Sequence, residues 1–112
     1  MDWLEYVFDK QVELQRFIKN SDDLENVVDM YNAATGATVE IGEMLQSDTR
    51  WKQFTTGSKK KPIVNKEQFI EEWCDVFIYM LNVLIYGGYN LNDVRTGVNN
   101  KQNKNFKRFN YD

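Results

Sequence analysis

Two short segments of the sequence each carry a pair of carboxylates three residues apart. The first pair is Glu40 and Glu43, and the second is Glu72 and Asp75. Residues three apart share one face of an α-helix, so each pair would point in one direction. If the two helices face each other, four carboxylates meet, and without a partner they would repel one another and lose hydration. Such oxygen ligands suit Mg²⁺, with Mn²⁺ as an alternative.

An exposed polar helix face is the simpler explanation for a single pair of this kind. The second pair is harder to explain in that way, because Phe69, Trp73 and Phe77 surround it in the most apolar segment of the chain. Acidic residues are rarely buried unless they are paired or bind a metal ion. The metal hypothesis therefore depends mainly on the second pair.

Cations and an amide recur at helical spacing near the C-terminal end of the sequence. Lys101, Asn105 and Arg108 are four and three residues apart and would line one helix face, which suits phosphate oxygens and a sugar or base edge. The alternative is that these cations simply complement the helix dipole. Further upstream, Trp51 lies beside Lys52 and offers a ring that could stack on a base or could close the end of a helix.

Several classes of function are excluded by what the sequence lacks. It contains no His, so imidazole catalysis and His-ligated zinc are excluded, and its one cysteine, Cys74, cannot form an internal disulfide. We expect Cys74 to be a core residue. A net charge of −3 argues against nucleic acid as a partner. No signal-like segment or apolar run long enough to span a bilayer is evident, so we expect a cytoplasmic protein without membrane contact.

Hydrophobic periodicity predicts an all-α, antiparallel arrangement of about four helices in one domain, residues 1–112. The predicted N-caps are Asp2 and Asn65, and two further helices are predicted to start at Ser21 and at Asn90 or Leu91. Gly36 and Gly42 are expected to bend the second helix. A polar, basic stretch, Thr55–Pro62, is predicted to be a loop. Its run Lys59–Lys61 is expected to be solvated, and the alternative is a lid over a bound anion.

The order and spacing of these motifs resemble the all-α nucleoside triphosphate pyrophosphohydrolase superfamily, which includes the MazG proteins and the dimeric dUTPases. The likeness extends from Gln15 to Tyr111. The segment Glu40-Ile41-Gly42-Glu43, followed by Trp51-Lys52-x-Phe54, looks closest to the dimeric dUTPase branch and to its small phage members. The resemblance implies a homo-oligomer, either a dimer or a dimer of dimers.

The resemblance also implies a reaction and a role for each residue. Mg²⁺ would be held by four carboxylates, and water would cleave a nucleoside triphosphate, which is dUTP in the dUTPase branch, to the monophosphate and pyrophosphate. The implied metal ligands are Glu40, Glu43, Glu72 and Asp75. The implied catalytic residues are Glu43, which accepts a proton from water, and Lys52, which contacts phosphate. The implied substrate contacts are Gln15 near the nucleotide, Trp51 on the base, Lys52, Lys101 and Arg108 on phosphates, and Asn105 on the sugar or base.

Other functions remain open at this point. A MazG-like enzyme of broad or purine (dATP or dGTP) specificity would have the same metal site and a different substrate profile. A noncatalytic helical interaction module would carry the same acidic faces without metal affinity. A di-iron bundle is disfavoured, because it would usually need Glu-x-x-His pairs. Phe54 replaces an aromatic that is often Trp in dimeric dUTPases, which leaves the base preference open.

Overall fold

The computed structural model describes residues 2–110, which form five α-helices and no β-strand. The helices are α1 (Trp3–Lys19), α2 (Val27–Ser47), α3 (Trp51–Thr55), α4 (Lys66–Gly87) and α5 (Leu91–Arg108). The all-α prediction is confirmed. Within residues 2–110, none of the helices combines the length and the hydropathy that crossing a membrane would require.

Three of the predicted helix starts are present. The Asp2 carboxylate accepts a hydrogen bond of 2.8 Å from the Glu5 backbone N–H, and the Asn65 side chain accepts one of 3.0 Å from that of Gln68. Asn90 and Asp93 form a reciprocal capping box at the start of α5. Each cap satisfies a backbone donor that has no partner inside its helix.

The predicted start of the second helix at Ser21 is wrong. α2 begins at Val27, and Asn26 is its N-cap. The Ser21 hydroxyl instead accepts a 3.1 Å hydrogen bond from the Asp23 backbone N–H, which forms a local turn. This turn lets Leu24 enter the core, where it is 9% exposed. Burial of Leu24 therefore favours Asn26 over Ser21 as the N-cap.

The short helix α3 was not predicted, and its last residue, Thr55, is the first residue of the predicted loop. The Trp51 indole N–H donates a 2.7 Å hydrogen bond to the Leu45 carbonyl, one of the last carbonyls of α2. Such carbonyls lack a partner within their own helix. Trp51 therefore fastens α3 to the end of α2, and residues 56–65 form the loop that leads to α4.

The antiparallel register of α2 and α4 is fixed by backbone hydrogen bonds at both ends. The Asn65 N–H donates to the Ser47 carbonyl at 2.8 Å, and the Asn26 N–H donates to the Tyr86 carbonyl at 2.8 Å. An antiparallel bridge between Asp48 and Val64 closes the connection beyond α2. These ties leave α2 no freedom to slide along α4.

Gly36 brings α2 close to α4, and it does not interrupt the helix. A Cβ atom at Gly36 would lie 2.4 Å from the nearest ring carbon of Tyr79, so the ring packs directly on the α2 backbone. A Cβ atom at Gly42 would meet nothing within 4 Å. α2 runs unbroken through both glycines, and only Gly36 is required by packing.

α1 completes the bundle at the C-terminal half of α4. Trp3 stacks on Phe77, with ring centroids 6.3 Å apart, and the Gln11 side-chain NH₂ donates to the Asn82 side-chain oxygen at 2.9 Å. α1 therefore runs in the same direction as α4 and antiparallel to α2. We call the hydrophobic cluster at this end of the α2–α4 pair the apolar end; it consists of Leu24, Ile85 and Tyr86 with Phe8, Val12 and Met30 against them. Cys74 is exposed, which corrects the prediction that it is a core residue.

Candidate functional site

The four predicted carboxylate ligands lie at the opposite end of the α2–α4 pair, which we call the acidic end (Glu40, Glu43, Glu72 and Asp75). Glu40 precedes Ser47 by seven residues and Glu72 follows Asn65 by seven. Because Ser47 and Asn65 are hydrogen-bonded partners, Glu40 and Glu72 lie at the same level, about two helical turns from that tie. The backbone register therefore places one carboxylate opposite the other.

Glu40 occupies a position in α2 that would ordinarily hold a core residue. It follows Ala33 and Ala37 on one helix face, at spacings of seven and three residues, and those alanines are only 6% and 3% exposed. Small residues at these positions bring α2 and α4 close together, so the Glu40 side chain that follows them lies at the interface between the two helices. Both Glu40 and Glu72 are half-buried.

Three of the carboxylates converge. One oxygen each of Glu40, Glu43 and Glu72 lie within 4.8 Å of one another. The Oε2 atoms of Glu40 and Glu72 are buried and have no hydrogen-bond partner among the described residues. Buried polar atoms normally have partners, and a bare carboxylate oxygen is among the costliest exceptions.

The electrostatics of this group favour a cation or a proton. The pKa of Glu40 is raised from its ordinary value of 4.5 to about 7, chiefly by the neighbouring Glu72 carboxylate, then by burial, and then by Glu43 and Asp75. Like charges that share a site oppose each other's ionisation. No lysine or arginine forms an ion pair with these carboxylates in the described part of the chain.

Asp75, the fourth predicted ligand, is exposed, and its oxygens do not belong to the converging group. Its charge nevertheless contributes to the raised pKa of Glu40, which places it within electrostatic reach of that side chain. The donor set is thus three carboxylates with a fourth nearby. Oxygen donors of this kind, two with unsatisfied buried atoms, fit a hard divalent cation such as Mg²⁺.

An apolar groove adjoins the acidic end and contains Trp51. It has a volume of about 430 Å³, and its walls are Leu45, Asp48, Arg50, Trp51, Phe54 and Phe69. Phe69 and Glu72 are three residues apart on α4, so the groove and the carboxylates are neighbours on one face. Phe69 was not predicted to belong to a site, although its spacing from Glu72 was a usable signal.

Of the two cations beside Trp51, Arg50 is held in an ion pair and Lys52 is exposed. The Arg50 guanidinium donates to the Asp48 carboxylate (Nε to Oδ1, 2.9 Å), and this pairing lowers the pKa of Asp48 and raises that of Arg50. The Lys52 ammonium is exposed and lies 5.6 Å from the centre of the Trp51 ring. The indole hydrogen bond to Leu45 supports the alternative that Trp51 closes the end of α2, and it leaves stacking on a base as a prediction.

A protein-family model described as dUTPase matches residues 3–111. The chain belongs to this dUTPase family. The family is all-helical and MazG/dimeric dUTPase-like, so the resemblance drawn from the motifs is confirmed, and the chain is a dUTPase-like nucleotide hydrolase. No match was found among curated proteins or among solved structures.

Gln15, which the dUTPase resemblance placed near the nucleotide, lies at the apolar end. Its side chain is buried and its carbonyl oxygen accepts a hydrogen bond from the Tyr86 hydroxyl. Tyr86 is fourteen residues beyond Glu72 on α4, a distance of about 21 Å along the helix. Within one chain, Gln15 is therefore remote from the carboxylates, and its role in substrate binding stays a prediction.

Beyond Lys52, the cationic residues assigned to phosphate in this dUTPase family member lie on the last helix, α5. Lys101, Asn105 and Arg108 are exposed on α5. α5 starts beyond Gly88, at the apolar end, and its one buried residue is Leu91. The structure thus brings together three predicted metal ligands, with Trp51 in the adjoining groove, and places Gln15 at the apolar end. The substrate contacts assigned to Lys52 and to the α5 trio stay predictions.

Proposed function

We propose that this protein is a Mg²⁺-dependent nucleoside triphosphate pyrophosphohydrolase that converts dUTP to dUMP and pyrophosphate. Membership of the dUTPase family supports the substrate. The observation that carries the proposal is the convergence of Glu40, Glu43 and Glu72, whose oxygens include two buried atoms without a partner. Mn²⁺ is an alternative ion for the same ligands.

Glu40, Glu43, Glu72 and Asp75 would hold the metal. When bound, Mg²⁺ supplies positive charge that offsets the charge of the triphosphate oxygens. Glu43 is the exposed member of the converging trio, so we assign to it the role of general base, which accepts a proton from the attacking water. The reaction consumes one water and breaks the bridging bond between the α- and β-phosphates, and pyrophosphate leaves.

Lys52 and the groove beside it would orient the nucleotide. The Lys52 ammonium is exposed beside the Trp51 ring, and we assign to it a phosphate of a nucleotide seated at the acidic end. The aromatic walls Trp51, Phe54 and Phe69 offer apolar surface for a base. This arrangement supports a bound nucleotide whose base lies in the groove and whose triphosphate lies over the carboxylates.

Self-association, as a homodimer or a dimer of dimers, is part of the proposal. Large hydrophobic side chains are exposed on α1 and α2, among them Trp3 at 71%, Phe17 at 83% and Tyr31 at 64%. Large exposed hydrophobic side chains of this kind become buried when a chain associates with a partner. A second copy of the chain is the partner that the family resemblance implies.

The test is pyrophosphate release from dUTP, dCTP, dTTP, dATP, dGTP and the ribonucleotides, with Mg²⁺ and with EDTA. We expect hydrolysis that requires Mg²⁺ and prefers dUTP. Hydrolysis of many nucleotides, or of purines first, would replace dUTP with the MazG-like alternative. A folded, Mg²⁺-supplied sample that hydrolyses none of them would overturn the enzymatic assignment and favour an interaction module.

A further inference from the structure

The ion pair between Asp48 and Arg50 is held in one geometry at the wall of the apolar groove. The Arg50 guanidinium donates to the Asp48 carboxylate through two nitrogen atoms, from Nε to Oδ1 at 2.9 Å and from Nη2 to Oδ2 at 2.5 Å. The Arg50 backbone N–H donates to Oδ1 of the same carboxylate at 3.2 Å. Pairing through two nitrogens fixes the plane of the guanidinium as well as its position. The two side chains therefore form a preorganised polar group.

This pair is the polar part of a groove whose other walls are apolar. The remaining lining residues are Leu45, Trp51, Phe54 and Phe69. Of these four, Trp51 alone has a polar side-chain atom, and its indole N–H already donates to the Leu45 carbonyl at 2.7 Å. Small-molecule sites typically combine apolar walls with a few fixed polar groups that orient the ligand. Among the described residues that line this groove, Asp48 and Arg50 are the side chains that can orient one.

Both members of the pair have hydrogen-bonding capacity that the pairing does not use. A guanidinium carries five N–H donors, and the bonds to Asp48 take the Nε hydrogen and one of those on Nη2. A carboxylate has about four lone-pair sites, and the Arg50 N–H groups fill three of them. Hydrogen bonds from Arg50 lower the pKa of Asp48, so this carboxylate stays ionised and only accepts. The groove thus offers a donor next to an acceptor.

The edge of a lactam base has the complementary order of groups. Uracil carries the C4 carbonyl, which accepts, beside the N3–H, which donates, and thymine and guanine have a carbonyl and an N–H in the same order. Cytosine and adenine have the reverse order, because an amino group that donates lies beside a ring nitrogen that accepts. Against a fixed donor and acceptor, an amino base therefore places donor against donor and acceptor against acceptor.

The position of the pair suits the base of a nucleotide whose phosphates lie at the acidic end. Asp48 is the C-cap of α2 and follows Glu40 by eight residues, a rise of about 12 Å along the helix. On α4, Phe69 lines the groove three residues before Glu72. The sugar and phosphates of one nucleotide would bridge this separation. A triphosphate anchored at the carboxylates would bring the base into the groove in one orientation, as discrimination between base edges requires.

We propose that Asp48 and Arg50 select the base of the substrate, with the Arg50 guanidinium donating to a ring carbonyl and the Asp48 carboxylate accepting from the adjacent ring N–H. The enzyme then accepts lactam bases such as uracil and rejects amino bases such as cytosine. This inference rests on the proposed function and names the groups that read the base. Thymine presents the same two groups as uracil, so the pair does not distinguish dUTP from dTTP.

The rates of pyrophosphate release from dUTP, dCTP and dTTP test the proposal. In the wild type, kcat/KM should be about 10- to 100-fold higher for dUTP than for dCTP, the discrimination expected of a well-placed pair of hydrogen bonds. Arg50→Gln should reduce this ratio to about threefold or less, because an amide can turn to present either a donor or an acceptor. The ratio of dUTP to dTTP should keep its wild-type value. A ratio measured on one sample does not depend on the folded fraction, so a purely structural role for Arg50 would leave both ratios unchanged.

Two further variants complete the test. Asp48→Asn also replaces a fixed group with an amide and should narrow the ratio of dUTP to dCTP, which keeps the proposal testable if Arg50→Gln does not fold. Lys52→Gln is the matched control, because it removes the other cation beside Trp51. It should lower kcat/KM for dUTP and dCTP by the same factor. A wild-type dUTP to dCTP ratio in Arg50→Gln or in Asp48→Asn would overturn the inference.

Binding of analogues that cannot be cleaved separates this inference from the proposed function. The α,β-imido analogues of dUTP and dCTP are titrated into the protein with Mg²⁺ by calorimetry. If the wild type hydrolyses nothing but binds the dUTP analogue at least about 10-fold more tightly, and Arg50→Gln loses this preference, the reaction is refuted and base selection is supported. A wild type that hydrolyses dUTP and dCTP equally well supports the reaction and overturns base selection. A protein that neither binds an analogue nor hydrolyses a nucleotide overturns both.

Discussion

The two ends of the α2–α4 pair share one register and differ in how their buried polar groups are satisfied. At the apolar end, the Tyr86 hydroxyl donates to Gln15, and apolar side chains surround the pair. At the acidic end, buried oxygens of Glu40 and Glu72 have no partner among the described residues. The same backbone geometry thus supports folding at one end and keeps unsatisfied ligand atoms at the other.

This contrast shows where stability and activity should separate. Changes at the apolar end should lower the free energy of unfolding and leave the chemistry intact. Changes at the acidic end should abolish the chemistry at little cost to folding, because removing one of several mutually repelling carboxylates relieves repulsion. Substitutions at each end, and one between them, can test this separation.

The largest effect is expected from Glu43→Gln. Loss of the exposed carboxylate should lower turnover by about 10²- to 10⁴-fold, the usual contribution of a general base. The melting temperature in EDTA should stay equal to that of the wild type or rise. Glu71→Gln, an exposed neighbour of Glu72 outside the converging trio, is the matched control. Turnover above a tenth of the wild-type rate in Glu43→Gln would remove this residue from the mechanism.

Gly36→Ala should affect both ends, since Gly36 lies between them. The new Cβ would approach the Tyr79 ring to 2.4 Å, so the helices must separate or the ring must move. We expect a loss of about 1–3 kcal/mol in the free energy of unfolding, measured by urea denaturation. Gly42→Ala is the control, because its Cβ meets nothing within 4 Å. It should stabilise α2 by up to about 1 kcal/mol, and equal effects of the two substitutions would contradict this packing.

Tyr86→Phe should perturb the apolar end alone. It removes the donor to Gln15 and leaves a buried carbonyl oxygen unpaired, at a cost of about 1–3 kcal/mol in unfolding free energy. Turnover at saturating nucleotide should change less than twofold, since the hydroxyl is about 21 Å along α4 from Glu72. A large loss of turnover in a folded variant would link the two ends and return Gln15 to the nucleotide site.

The smallest effect is a dependence of stability on pH in the absence of metal. Glu40 keeps its proton up to about pH 7 in the folded state, compared with 4.5 ordinarily, so the folded protein binds more protons between these values. Stability in EDTA should therefore fall as the pH rises from about 4.5 to about 7. Melting temperatures of Glu40→Gln should show a smaller fall over this range. An identical pH profile for the variant would assign the raised pKa elsewhere.

Local rules predicted most of the helices and both carboxylate pairs. Asp2, Asn65 and Asn90 are caps whose effect depends on the next few residues, so the sequence suffices to find them. Ser21 failed because burial of Leu24 favoured Asn26 instead. α3 was missed because five residues are too few for a periodic pattern, and its position depends on the Trp51 contact to Leu45.

The site was predictable in composition and less so in placement. Glu40 and Glu72 could be paired from sequence because each shares a face with residues of the helix seam. The location of Gln15 at the apolar end could not be predicted. The position of α1 along α4 depends on contacts between residues 71 positions apart, such as Gln11 with Asn82. The packing of α5 could not be predicted either, because helical periodicity predicts a packing face without identifying the element that covers it.

Calorimetric titration of the metal-free protein with Mg²⁺, without nucleotide, tests the central claim most directly. We predict saturable binding at the acidic end, strongly weakened in Glu72→Gln and unchanged in Glu71→Gln. The same titration should raise the melting temperature of the wild type. If wild type and Glu72→Gln bind Mg²⁺ equally, or if neither binds it, then the acidic end is not a metal site.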